Sequence, residues 1–321
     1  MSPRMSQRRE LPNHVPPVIA VVPTYRPDAT LPDLVVRLRR QVQAVIVVDD
    51  GSPEGSPPQL DALEGVLVLR NDVNSGIAAS LNRGVREALR RGAEFVLTMD
   101  QDSELPDGFV ETALETFARA AGPEVGMVVV DTVNGRREVP TRRAADGILD
   151  VDEAIQSGTL ISARTLRECG LFDERLFIDG VDTEYCLRVR KHGFRVAVAE
   201  GTDLTHALGS RVPFRPFGVA VTRKGRESTY QYHPPFRHYF VARNSVDIAF
   251  RYARRHPGWT ATFVRREVLL LAVTIVSGPF RLRHLIASVA GLGHGLMRRR
   301  GPMPAGLRTL VTPGGSSIGP V

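Results

Sequence analysis

Asp100 and Asp102 stand one residue apart at the end of a short apolar run, Phe95-Val96-Leu97-Thr98-Met99. A run of that length reads as a buried strand. A strand that stops on two carboxylates puts both at the edge of the sheet where open α/β folds collect their ligands. Two hard oxygen donors this close suit Mg²⁺ or Mn²⁺, and such an ion would in turn hold a diphosphate. The same spacing also fits a strand-to-helix turn in which Asp102 caps the following helix. A third carboxylate, Asp182, opens a helical stretch that runs to about His192. There it can act as the helix N-cap, or as a general base that takes a proton from a hydroxyl beside a cleft. Glu184 is the rival for that role, although its i,i+4 spacing to Arg188 is accounted for by a surface ion pair. His206, 24 residues after Asp182, could be a further metal ligand or a structural histidine.

The surrounding pattern supplies elements to position these groups. Val18–Val22 reads as a strand ended by Pro23-Thr24-Tyr25-Arg26-Pro27, and Leu31–Gln41 repeats apolar residues at helical spacing. Val45–Val48 is a second strand, closed by Asp49-Asp50-Gly51-Ser52. Val66–Leu69 is a third, followed by a polar turn containing Asn74 and Gly76. A helix over Ile77–Arg91, with Asn82 inside it, precedes the Phe95–Met99 strand. Alternation of this kind predicts an α/β fold with a mostly parallel, doubly wound sheet, the polar strand ends sharing one edge. Beyond Asp102 the pattern predicts a helix to Ala120, strands over Val125–Val130, Gly158–Ser162 and Val196–Ala199, and a helical turn over Arg164–Cys169. Asn134–Asp152 is charged and irregular, and reads as a loop over the site.

Charge divides the chain. Residues 1–210 carry 24 Lys+Arg against 32 Asp+Glu, a net −8, and residues 211–321 carry 18 against 3, a net +15. The front is acidic enough to hold a metal, and the back is a basic surface suited to phosphates or anionic lipid. Nucleic acid is disfavoured as a partner: no recognised nucleic-acid motif appears, and only two of the basic residues are lysine. Cys169 and Cys186 lack metal-ligand spacing and fit a reduced, cytoplasmic protein. Met1–Pro17 has arginines but no apolar core of a secretory signal. The apolar run Val268–Val276 is far short of the roughly 20 residues a spanning helix needs.

The motifs in order resemble the GT-A inverting glycosyltransferases of family 2. They are Val-Pro-Thr-Tyr, Val-Asp-Asp-Gly-Ser, Asn-x-Gly-Ile, Asp-Gln-Asp, Gly-Leu-Phe-Asp-Glu, Asp-x-Glu-Tyr-Cys-Leu-Arg and His206. Within the family the stretches Phe177–Arg188 and His206–Gly209 are most similar to bacterial rhamnosyltransferases. Val181 replaces an acidic residue common in relatives, and Gly180 and Tyr185 replace larger aromatics of the rhamnosyl subgroup. The resemblance implies that Asp182 is the catalytic base and that Asp100, Asp102 and His206 hold Mn²⁺ or Mg²⁺. It implies a nucleotide-sugar site at Pro23, Thr24, Arg26, Asp50, Asn74, Gly76, Asn82 and Asp100, with turn and cap chemistry as the alternative use of these residues and an equal claim on Asn82. The donor it points to is dTDP-L-rhamnose, and the acceptor a cell-envelope glycan or polyprenyl-linked glycolipid. A galactofuranosyl or other hexosyl transferase of the same family is the nearest alternative. A nucleotidyltransferase would want a Gly-rich basic loop after the first strand, and Pro23-Thr24-Tyr25 offers none. A non-catalytic membrane-surface scaffold is disfavoured by the intact carboxylates.

The implied catalytic domain spans residues 17–210, followed by an acceptor-side helical region over 211–300, with disordered tails at 1–16 and 301–321. The run His238–Asn244 reads as a helix bordering the acceptor site or as aromatic core. Val264–Val276 and Leu285–Met297 are helices bordered by Arg265, Arg266, Arg281, Arg283 and Arg298–Arg300. Such helices suit the inner face of an anionic membrane, with a packed subdomain or a homo-oligomer interface as the alternatives.

Overall fold

The computed structural model describes residues 16–312, apart from 138, 207–210 and 224. The tail read at 1–16 therefore lies almost wholly outside the described residues, as do residues 313–321. Ten strands form the main sheet: β1 Val18–Thr24, β2 Ala44–Asp49, β3 Val66–Arg70, β4 Phe95–Thr98, β5 Ser103–Glu104, β6 Val125–Val133, β7 Thr141–Arg143, β8 Leu149–Val151, β9 Thr159–Ser162 and β10 Arg195–His206. Nine helices accompany them among the described residues: α1 Leu31–Arg39, α2 Ile77–Arg90, α3 Phe109–Arg119, α4 Ala163–Glu168, α5 Val181–Lys191, α6 Pro235–Tyr252, α7 Pro257–Ser277, α8 Arg281–Leu296 and α9 Ala305–Val311.

The strand order is β3-β2-β1-β4-β9-β6-β10-β8-β7, with β5 paired to β10. Both faces are covered, which is why β1 and β2 read as continuous apolar runs rather than alternating ones. Ile19, Val21, Ile46 and Val48 pack on one side with Leu81 and Val85 of α2 and Tyr185 of α5. Ala20, Val22, Val45 and Val47 pack on the other with Leu34 and Leu38 of α1 and Phe109 of α3. The four strands β3-β2-β1-β4 are parallel, as predicted. β9 runs antiparallel to both of its neighbours, β4 and β6, so the sheet is mixed. The chain winds from β1 outward to β3, then returns to place β4 on the other side of β1. The switch point this creates lies between the carboxyl ends of β1 and β4, where such folds open a crevice.

Three sequence expectations are corrected. Residues 134–152 are not only a loop, because β7 and β8 form an antiparallel pair at the end of the sheet, β8 joining β10. Arg195 of β10 bonds Asp146 at 2.6 Å and Asp150 at 2.9 Å there, burying charge that composition alone reads as surface. The strand predicted at 196–199 extends to His206, with an irregular register between Ala199 and Asp203. Nor are residues 301–312 a disordered tail: Met303 and Val311 are buried against Tyr239, Phe240 and Ala287.

Candidate active site

Four strand ends and one helix start meet at the switch point. β4 delivers Asp100 and Asp102 just past its last residue. β10, by running on to His206, pairs that residue with Ser103 of β5. Asp100, Asp102 and His206 each offer a ligand atom, and the three atoms lie within 4.8 Å of one another. The His206 ring is held by Ser103 Oγ, 2.6 Å from Nδ1, and Nδ1 lies 3.6 Å from Asp102. Burial, and then the charge of Asp102, push the Asp100 carboxyl above its ordinary range. Crowded carboxylates of this kind are what a divalent cation relieves, and two oxygens with an imidazole fit Mn²⁺ or Mg²⁺. The donor set therefore fits the metal the sequence implied.

Asp100 is oriented by protein groups that sequence reasoning missed. Gln156 Nε2 donates to its carboxylate at 2.7 Å, and Ser157 Oγ accepts from its backbone N–H at 3.0 Å. Gln101 ties the carboxylate pair to the end of β1: its Oε1 accepts from Tyr25 N at 2.9 Å and its Nε2 donates to Tyr25 O at 3.3 Å.

Pro23 and Thr24 end β1 as expected, with Thr24 buried. Arg26 follows in a left-handed conformation (φ 49°), its backbone N–H held by Ser52 Oγ at 2.8 Å. Asp50, also buried, accepts from Ser75 N at 2.9 Å, Gly76 N at 2.8 Å and Asn71 Nδ2 at 2.8 Å. Those bonds lash the 71–76 turn to the end of β2. Asn74 Oδ1 is buried without a protein partner. Gly76 (φ 91°) lets the turn approach Phe177, since a Cβ there would sit 2.6 Å from the Phe177 carbonyl oxygen. Asn82 does not join this group. Its amide is spent on Phe172 N and O, both at 2.9 Å, and on Glu174 at 2.8 Å, so it fastens α2 to the 172–174 segment.

Asp182 occupies the second position of α5, not the N-cap. The cap is Gly180, in the left-handed region (φ 75°). The Asp182 carboxylate accepts from Thr183 N at 2.8 Å, and burial, with the nearby charges of Glu153, Asp100 and Asp179, raises its pKa to about 6. That is the range in which a carboxylate can both bind and release a proton near neutrality. Glu184 is removed from contention. It is buried rather than on the surface, accepting from Arg188 at 2.8 Å, Tyr252 at 3.0 Å and Arg251 at 3.3 Å. A carboxylate gripped by two guanidiniums and a phenol, with no free edge toward the crevice, is a structural hub. Arg237 stands on the far side of the acidic cluster, ion-paired to Asp179. Burial opposes its charge, but Asp179, Asp100 and Asp182 outweigh that and raise its pKa. Nothing in its local sequence marked it out.

A cavity of about 520 Å³ lies at the opposite ends of the strands, lined by Phe95, Val125 and Ser162, and holds none of these residues. Residues 19–172 match the model of glycosyl transferase family 2. The chain carries a family 2 glycosyltransferase domain. Along most of its length it is similar to the dTDP-rhamnosyl transferase RfbF of Shigella flexneri, 27% identical over 86% of this chain and 95% of that protein. It is also similar to the galactofuranosyltransferase GlfT1 of Mycobacterium tuberculosis, 27% identical over 71% of this chain and 80% of that one. Among solved structures, S. aureus TarS 1-349 in complex with UDP-GlcNAc superimposes with a TM-score of 0.58 at 18% identity, over 92% of this chain and 84% of that one. This likeness shows a GT-A fold for the sheet domain, with the C-terminal helices as an extension to it. The family match and these relatives make the protein a glycosyltransferase, and the matched region stops at residue 172, ten residues short of Asp182.

Proposed function

We propose that this glycosyltransferase is metal-dependent and inverting, and that it moves L-rhamnose from dTDP-L-rhamnose to a cell-envelope glycan or polyprenyl-linked acceptor. The observation that carries the reading is the convergence of Asp100, Asp102 and His206 at one sheet edge, with Asp182 near enough to feel the charge of Asp100. Asp100, Asp102 and His206 would hold Mn²⁺ or Mg²⁺, which as a Lewis acid would neutralise charge on the departing nucleoside diphosphate. Asp182 takes the proton of the acceptor hydroxyl as its oxygen attacks the anomeric carbon. Asn74 Oδ1, buried and unpartnered, would accept from the nucleotide, and the Pro23–Arg26 turn and the Asp50-anchored 71–76 turn would wall its pocket. The rhamnosyl assignment is supported by similarity to a dTDP-rhamnosyl transferase over nearly the whole chain. Galactofuranosyl transfer is the second reading, supported by the likeness to GlfT1. A thermal-shift panel of nucleotide-sugars with Mn²⁺ tests the choice. The expected result is stabilisation by dTDP-L-rhamnose above UDP-galactofuranose and UDP-GlcNAc, and a larger shift with a UDP-sugar would overturn the donor.

The basic half supports a site of action on the inner face of an anionic membrane, reached from the cytoplasm. No helix among the described residues is long and apolar enough to cross a membrane. α8 turns its small and polar residues inward, with Gly291, Gly295, His284 and Ser288 buried, while Leu282, Leu285, Val289, Leu292 and Leu296 are exposed. α7 adds exposed Val268 and Leu269, and Arg265, Arg281, Arg298 and Arg299 lie exposed around the patch. Leucines facing out between arginines match an interfacial surface, where each arginine near anionic lipid contributes about 1 kcal/mol. Full-length protein should sediment with anionic vesicles at low salt and be released as salt screens the attraction, whereas Leu285→Glu/Val289→Glu should not bind. Equal behaviour of both proteins, or dimerisation through this face without lipid, would sink the membrane assignment.

A further inference from the structure

The turn that delivers Asp182 has an unusual backbone. Phe177 (φ 68°, ψ −65°) is the centre of a strained γ-turn closed by Ile178 N donating to Leu176 O at 2.9 Å. Asp179 (φ 64°) and Gly180 (φ 75°) follow, so three of four consecutive residues are left-handed, two of them with side chains. Such conformations persist only where the surroundings over-determine them. Here the surroundings are one face of α6. Phe240 stacks on Phe177 with ring centroids 5.2 Å apart, Arg237 pairs with the Asp179 carboxylate, and Ile248 packs where a Cβ on Gly180 would come within 2.9 Å. At the centre, buried Asn244 turns its Nδ2 to the carbonyls of Leu176 at 3.0 Å, Ile178 at 2.8 Å and Asp179 at 2.7 Å. Arg243 Nε donates to Asn244 Oδ1 at 2.9 Å, which fixes which way the amide points, and Arg243 Nη2 donates to Leu176 O at 2.7 Å.

We propose that Asn244 is a positioning residue for the catalytic base: its amide holds the strained 176–180 backbone in the one shape that aims Asp182 into the crevice. This rests on Asp182 being the base. An amide with two hydrogens facing three convergent carbonyls resists any relaxation of the turn, because opening it strands buried acceptors. Asp100, Asp102 and His206 stand at the ends of β4 and β10, away from this turn, so loss of the clamp should misplace the base while sparing metal-dependent diphosphate binding. A misplacement on the order of 1 Å is enough to cost about 100-fold in rate.

The test uses full-length enzyme carrying Asn244→Asp, which keeps the acceptor for Arg243 but replaces the donor by a charge facing the carbonyls, and Asn244→Ala beside it. The expected result is a kcat lower by roughly 10- to 100-fold, with the Mn²⁺-dependent affinity for nucleoside diphosphate and the donor KM within about threefold of wild type. Combined with Asp182→Asn, either change should slow turnover no further, because both act on one group. Wild-type kcat in a folded variant would overturn the proposal. So would parallel loss of diphosphate affinity, full additivity with Asp182→Asn, or failure of both variants to give a cooperative melt, since each assigns Asn244 to general stability instead. An Asp182→Asn enzyme that stays active would instead remove the base assignment on which the proposal stands, a result visible in the single variant alone.

Discussion

Asp182→Asn should retain donor binding and lose turnover by roughly 10²–10⁴, the range for removal of a general base. The same change should stabilise the fold, and the sign follows from the direction in which its pKa moves. Burial raises the Asp182 pKa from 3.8 to about 6, so ionising it in the folded state is unfavourable. The folded protein carries that cost once pH rises through about 6 and is free of it below about 4. A rise of that size corresponds to roughly 3 kcal/mol, at about 1.4 kcal/mol for each pH unit, an upper figure for a side chain that keeps some solvent contact. In metal-free buffer the variant should therefore melt higher than wild type at pH 8, and the two should converge near pH 4. In the wild-type enzyme kcat/KM should climb through about pH 6 as the base ionises, then level off. An asparagine variant that is active, or one no more stable than wild type at pH 8, would contradict a buried base.

Asp102→Ala should abolish the metal-dependent part of nucleoside diphosphate binding. Its carboxylate is one of three converging ligands, and even an outer partner of a metal ligand is worth about 10- to 100-fold in affinity, so a direct ligand should cost at least about 100-fold. The fold should not suffer. The Asp102 side chain is 35% exposed, and its charge raises the pKa of buried Asp100, so the metal-free variant should melt no lower than wild type. Calorimetric titration of nucleoside diphosphate with and without Mn²⁺ separates the cases. Unchanged affinity in the presence of Mn²⁺ would place the metal elsewhere.

Much of this arrangement was legible in the chain itself. Strands that must be buried on both faces are written as unbroken apolar runs, so β1, β2 and β4 and their polar ends could be read directly. Asp100, Asp102 and the 71–76 turn were recognisable because their chemistry is local: residue types that ligate or turn, placed where an apolar run stops. The family-like order of motifs added His206 and Asp182. Tertiary structure decided what depends on partners distant in the chain. His206 reaches Asp100 and Asp102 because β10 continues well past its apolar stretch and pairs with Ser103, a long-range match that no periodicity encodes. Glu184 and Arg188 carry the spacing of a surface pair, yet Arg251 and Tyr252 of α6 fold over them and make a buried hub. Asn82 looks like a nucleotide ligand until Phe172 and Glu174, some 90 residues away, take its amide. The left-handed turn before Asp182 is bonded by Asn244 of α6, 62 residues downstream of that aspartate. Side-chain identity sets which bonds a residue can make, but burial and strain arise when distant segments compete for the same groups, and that competition is settled only in the folded protein.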